Sequence, residues 1–317
     1  MNALFALSLA IAMGLLLSRI IKLIHLPNVT AYLIAGLIIG PSCLNILTDT
    51  FNKEFAIISD VALGFIAYSI GSEFKISYLK EIGIKPIVIT FFEGCTASTL
   101  VIIALLLLGQ PLPLALALGA IASATAPAAT LMVVRQYKAN GPVSRMLLPV
   151  VAMDDALCLM LFAILSAVAS TLISGAALTV QSLLLKPLLE IGCSLGLGIA
   201  IGALLVFVLP FFHSRGNKLA LSIMAVFMAV GLSGMWGLSS LLVCMMIGAV
   251  MVNLCPKAQA QAMQEQCDRF TPPLFLLFFV LSGSNLDLSI LPSIGVIGIA
   301  YVVVRALGKC LGATIGA

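Results

Sequence analysis

Two adjacent carboxylates, Asp154 and Asp155, stand in an otherwise apolar run, Pro149-Val150-Val151-Ala152-Met153-Asp154-Asp155-Ala156. Neighbouring positions on a helix point about 100° apart, so one acid can face a cavity while the other faces a neighbouring helix. Asp154 lies nine residues beyond Arg145. On a helix that is a rise of about 14 Å, close to the midplane of a bilayer if Arg145 marks its edge. Two buried carboxylates repel each other and titrate as a pair. A carboxylate that holds either a proton or a metal cation, but not both, is the minimum machinery for exchange. A pair serving only structure is the competing reading, but nothing in a helix bundle calls for two acids in hydrocarbon.

Few other residues could join them. Ser123-Ala124-Thr125-Ala126-Pro127-Ala128-Ala129-Thr130 places Pro127 in the middle of another apolar stretch. There the ring removes one backbone hydrogen bond and obstructs a second. Either the helix kinks and continues, or it unwinds into a crossover whose freed carbonyls, with the Thr125 and Thr130 hydroxyls, face a cation. Hard cations prefer such oxygen ligands. Glu93 is the lone acid in mid-span, and Arg305 and Lys309 fall one turn apart on one face of the last apolar stretch. Zinc and haem lack ligands, because there is no CxxC spacing and the two histidines, His25 and His213, sit in basic loops. Seven of the eight cysteines lie in or beside apolar runs, as small apolar residues of a bundle.

The elements that must position these groups follow from composition. Of 317 residues 62% are hydrophobic and only 28 carry charge, where a soluble domain of this length would carry about 25% charge. Hydrocarbon, not water, is the solvent for most of this all-α chain. Nucleic-acid binding is disfavoured, since a net charge of +4 without a basic cluster gives no electrostatic footprint. Stretches long enough to cross about 30 Å of hydrocarbon predict eleven spans at 3–24, 28–47, 55–74, 84–109, 112–134, 146–174, 187–212, 218–235, 237–254, 271–288 and 293–315. Loops after the odd-numbered spans hold twelve of the sixteen Lys and Arg, among them Lys75, Arg145 and Lys257, while the even-numbered loops hold only Lys53 and Lys186. By the positive-inside rule the N-terminus is outside and the C-terminus inside. Because its charges follow the apolar run, the first stretch is not read as a cleavable signal peptide.

The chain also repeats itself. Gly71 to Gly83 aligns with Gly283 to Gly295 at an offset of 212, with six identities in thirteen. The first copy leaves its span on the inner side and the second on the outer, so the repeat is inverted. The same offset carries Glu93 onto Arg305, which predicts a salt bridge between them near the pseudo-two-fold axis. A structural role and a part in ion coupling both remain open for that pair. With Arg305 so engaged, Lys309 is free either to neutralise one aspartate or to reach the inner surface. Partners for the fifth and sixth spans would fall at about 324–346 and 358–386, past Ala317, so the chain is expected to be incomplete at its C-terminus. The division expected is a first inverted repeat over 1–174, with core helices at 84–174, a linker helix within 175–216 and an incomplete second repeat over 217–317.

Taken together, Thr125-Ala126-Pro127-Ala128, Gly141-Pro142, Met153-Asp154-Asp155 and Arg305-Ala306-Leu307-Gly308-Lys309 resemble the monovalent cation/proton antiporter superfamily, in the Asp-Asp branch of the sodium/hydrogen exchanger family. The resemblance covers essentially the whole chain. It implies a polytopic bundle of thirteen helices, six plus six around a linker, of which eleven are present, with a broken crossover helix. It further implies a dimerisation domain, a core that moves as an elevator, a homodimer, and electrogenic exchange in the cell (inner) membrane. Asp155 would be the main ion and proton carrier, Asp154 would pair with a basic residue of the eleventh span, and no cofactor is needed. Many relatives have Thr-Asp-Pro where this chain has Thr125-Ala126-Pro127, so one acidic ligand is missing. The expected function is exchange of Na+ or K+ for H+. A cation channel, a sodium-coupled solute symporter and a non-transporting fragment or sensor are the alternatives, and an enzyme is disfavoured.

Overall fold

The computed structural model describes residues 3–23, 26–72, 74–77, 83–125, 130, 133–134, 136–174 and 186–317, with only the backbone described at Asp155 and at some other positions, most of them in α7 and at the starts of α8 and α12. These residues form α1 (Ala3–Leu23), α2 (Asn28–Ile39), α3 (Asp49–Glu54), α4 (Ala56–Gly71), α5 (Lys85–Leu107), α6 (Leu112–Ser123), α7 (Pro142–Ser174), α8 (Lys186–Val208), α9 (Arg215–Trp236), α10 (Ser240–Leu254), α11 (Lys257–Ser284) and α12 (Leu291–Gly316). The all-helical expectation holds. Among the described residues, five helices are long and apolar enough to cross a membrane: Ala3–Leu23, Lys85–Leu107, Leu188–Phe211, Arg215–Trp236 and Gly295–Gly316. Others are short. α2 has 12 residues, which at 1.5 Å each give about 18 Å. Large apolar side chains such as Leu107, Phe207 and Val302 point outward, as suits a hydrocarbon solvent.

Two elements depart from the hydropathy reading. α3, too polar to register as a span, is started by Thr48, whose hydroxyl accepts from the Phe51 amide at 3.3 Å. α11 begins fourteen residues before the expected span at 271, because Lys257 to Phe270 contains good helix formers and buries Met263, Gln266 and Cys267. Pro272 and Pro273 lie inside that helix without ending it.

The helices sort into two bundles. One holds α5, α6, α7 and α12; the other holds α1, α2, α4 and α8 to α11, and they meet mainly where α7 packs on α8 and α4. Glycine sets the closest approaches. A Cβ on Gly36 of α2 would overlap the Val280 carbonyl of α11, and one on Gly248 of α10 would overlap the Tyr68 carbonyl of α4. Likewise Gly283 abuts the Leu33 carbonyl, and Gly71 abuts that of Met245. Each contact maps onto its counterpart by the offset of 212: Gly36 onto Gly248, Tyr68 onto Val280, Leu33 onto Met245 and Gly71 onto Gly283. Two side-chain hydrogen bonds obey the same rule. Ser284 Oγ donates to Asn52 Oδ1 at 3.0 Å, and Ser72 Oγ donates to Gln264 Oε1 at 2.8 Å. The packing thus repeats with a pseudo-two-fold relation between α1, α2, α4 and α5 and α9, α10, α11 and α12.

Candidate functional site

The site is built where α5 and α12 cross. Gly308, Gly312 and Gly316 on α12 lie against Ala97, Glu93 and Ile89 on α5, backbone to backbone. A glycine every four residues lets two helices approach this closely. Lys309 and Arg305 are carried on the flank of that contact and turn toward the end of α6. On the other side of α5, Gly94 leaves room for α7: a Cβ there would lie 2.6 Å from the Leu157 side chain and 3.6 Å from Asp154 Oδ1. One turn below, Thr90 Oγ1 bonds the Pro86 carbonyl at 2.7 Å and that of Val150 at 3.3 Å, tying α5 to α7.

α6 ends at Ser123, and Ala124 is extended (φ −62°, ψ 144°). The helix stops here instead of kinking and continuing; Thr130, partly buried, is helical again. Pro127 and the rest of 126–129 lie outside the described residues. A helix end leaves its last carbonyls without intrahelical partners and carries a partial negative charge. Both cations of α12 meet it. Arg305 donates through Nε to the Ala122 carbonyl at 3.2 Å and through its guanidinium terminus to the Ala124 carbonyl.

Lys309 Nζ has four oxygens around it: Thr125 Oγ1 at 2.6 Å, the Ser123 carbonyl at 2.8 Å, Glu93 Oε1 at 3.0 Å and Asp154 Oδ2 at 3.2 Å. An ammonium has three hydrogens, so at least one is shared between acceptors. The side chain of Asp154 is wholly buried, whereas those of Glu93 and Lys309 are 14% exposed. The second oxygen of Asp154, Oδ1, has no hydrogen-bond partner among the described residues.

Of the expected site residues, the structure brings Glu93, Thr125, Asp154, Arg305 and Lys309 together at the end of α6, and it corrects one expected pairing. Glu93 binds Lys309, not Arg305. The crossing explains this: Glu93 lies opposite Gly312. Arg305 is seven residues back along α12, about 10 Å away at 1.5 Å per residue. Equivalence by repeat is not contact. The Ser123 carbonyl and the glycines Gly94 and Gly312 went unnoticed in the sequence, and Gly308 figured only within its motif, although small residues every four positions along α12 are a readable signal.

A cavity of about 520 Å³ opens beside this cluster, lined by Glu93 and Lys309 and, at the start of α7, by Pro142, Met146 and Val150. Val150 is one turn from Asp154, so the cavity leads from the Arg145 end of α7 toward the buried carboxylate.

Known proteins share the fold. A solved structure of the sodium proton antiporter MjNhaP1 from Methanocaldococcus jannaschii at pH 8 superposes with a TM-score of 0.79, at 20% identity, covering 99% of this chain and 78% of that one. An electron-microscopy map of the sodium proton antiporter MjNhaP1 from Methanocaldococcus jannaschii gives a TM-score of 0.80 at 19% identity, covering 99% and 77%. At these identities the likeness shows the fold. In sequence, Na(+)/H(+) antiporter 1 of Methanocaldococcus jannaschii is 30% identical over 148 residues, which are 45% of this chain and 34% of that protein. The match thus spans about a third of the relative's length. The family model described as sodium/hydrogen exchanger, transmembrane, matches residues 6–317, and on that near-complete match the chain belongs to this family.

Proposed function

We propose that the chain exchanges a monovalent cation, Na+ or K+, for H+ across the membrane, with Asp154 and Asp155 as alternating carriers of proton and cation. The observation that carries this reading is Lys309 held between two carboxylates at the open end of α6. A buried ammonium stripped of its only counter-ion would be costly. Here Glu93 keeps Lys309 paired when Asp154 turns to an incoming cation, so the carboxylate can be given up without stranding a charge. Asp154 Oδ1 is available to that cation, and Thr125 stands ready with a hydroxyl.

Charge balance ties the stoichiometry to whether Lys309 keeps its proton. Glu93, Asp154 and Asp155 carry three negative charges when ionised, against two positive ones on Arg305 and Lys309. One cation or one proton neutralises the remainder, which makes the two competitors. If Lys309 keeps its proton, the exchange is one for one; if Lys309 also releases it, more than one proton moves per cation and transport is electrogenic.

We further read the bundle of α5, α6, α7 and α12 as the mobile core and the other as the scaffold of a homodimer. On this reading residues 1–174 and 217–317 are inverted repeats joined by the linker at 175–216, and the N-terminus faces outward from the cell membrane. Family membership supports a transporter, not an enzyme. The test is the collapse of a preformed pH gradient in everted membrane vesicles on adding Na+ or K+, with Asp155→Asn alongside. Collapse that the variant abolishes is the expected result. Conduction that persists without proton movement would favour a channel.

A further inference from the structure

Away from the exchange site, two cavities share walls at the end of the scaffold bundle where α4 stops and α11 starts. The first, about 180 Å³, is lined by Lys75, Lys257, Ser72, Tyr68, Gln261 and Gln264 among others. Its described lining holds two cations and no carboxylate, and neither lysine makes an ion pair among the described residues. The second, about 370 Å³, is almost wholly apolar, lined by Phe74, Ile76, Ile199, Met246, Val250 and Leu254 among others.

The two are arranged as head and tail. Along the segment after α4, Phe74 and Ile76 line the apolar cavity while Lys75 between them lines the polar one. Along the last turn of α10, Val250 and Leu254 line the apolar cavity while Met251 and Val252 line the polar one. Asn253 locks the two walls together: its Nδ2 donates to the Phe74 carbonyl at 2.6 Å, and its Oδ1 accepts from the Ile76 amide at 2.9 Å. The shared wall is thus a built element. Charge counting assigns the loops carrying Lys75 and Lys257 to the same side of the membrane, and the structure places both lysines in one cavity.

We infer that this paired cavity binds an acidic phospholipid of the leaflet on that side, with the phosphate between Lys75 and Lys257 and an acyl chain in the groove between α8 and α10. A membrane-embedded chain meets such molecules at this depth. Basic side chains near a membrane surface each add attraction for anionic headgroups, and the almost wholly apolar groove suits an acyl chain.

The test is thermal unfolding and native mass spectrometry of the purified chain in detergent, titrated with phosphatidylglycerol or with phosphatidylcholine of the same acyl chains. Neither readout depends on transport, so failure here is separate from failure of the exchange reading. Phosphatidylglycerol is expected to stabilise more than phosphatidylcholine and to be retained as a bound lipid. Lys75→Ala/Lys257→Ala should weaken that binding about thirtyfold, the combined worth of two surface lysines. Lys75→Arg/Lys257→Arg should keep it, and Ala249→Trp, which fills the groove, should lose it. Equal responses to the two lipids, an unchanged response in the alanine variant, or full stabilisation by inorganic phosphate alone would overturn the proposal.

Discussion

Lys309 Nζ lies 3.0 Å from Glu93 Oε1, and that contact keeps the ammonium paired whatever Asp154 is doing. If Glu93 acts as the second holder of Lys309, removing its charge should tighten the remaining grip of Lys309 on Asp154. Glu93→Gln is therefore expected to raise the cation concentration needed for half-maximal exchange several-fold, and to cost about 1–3 kcal/mol of stability through one charged hydrogen bond. Exchange kinetics in vesicles and thermal unfolding of the same variant check both.

Lys309→Met leaves Glu93 and Asp154 facing each other without a cation. Breaking a buried pair from one side costs about 3–5 kcal/mol. The double variant Lys309→Met/Glu93→Gln should recover part of the loss, because it removes one of the stranded charges. A double-mutant cycle on unfolding free energies measures that coupling; simple additivity would mean the two side chains do not interact.

The pseudo-two-fold packing makes a prediction in pairs. Gly36→Val and Gly248→Val push a side chain into a carbonyl of the opposing helix at equivalent places. Both should be destabilising by more than the roughly 1–3 kcal/mol of ordinary overpacking, and to a similar extent. Gly192→Ala, on α8 with nothing within 4 Å of an added Cβ, should be neutral or slightly stabilising. Yields of folded protein and melting temperatures give the comparison.

Cys310 is exposed and lines the cavity beside Glu93 and Lys309. With the other seven cysteines replaced, a membrane-impermeant thiol reagent should modify it from the side that bears Arg145 and should block exchange. Reaction from the opposite side alone would contradict the access path drawn from the cavity.

Much of this was legible in the sequence because membranes make polar residues conspicuous. The Asp154-Asp155 pair, Glu93, and Arg305 with Lys309 are conspicuous in otherwise apolar runs, and burial forces such groups to find partners. The offset of 212 was readable from Gly71 to Gly83 and reappears in the packing of Gly36 and Gly248. The partner of Glu93 was not readable, since it depends on where α5 and α12 cross, and that register is set by the backbone contacts of Gly308 and Gly312. The polar first half of α11 escaped because hydropathy detects lipid contact, whereas its helix is held by burial of Met263 and Cys267 against neighbouring helices. The Ser123 carbonyl became a ligand only because α6 ends there, and a sequence shows a main-chain oxygen no differently from any other.

The central claim is that cation and proton compete for the same carboxylates. Proton release on adding Na+ or K+ to the purified chain in weakly buffered detergent solution tests it without requiring transport. The account predicts release of about one proton per cation bound if Lys309 stays charged, and none in Asp155→Asn. Saturable cation binding by the folded chain with no proton released would contradict it.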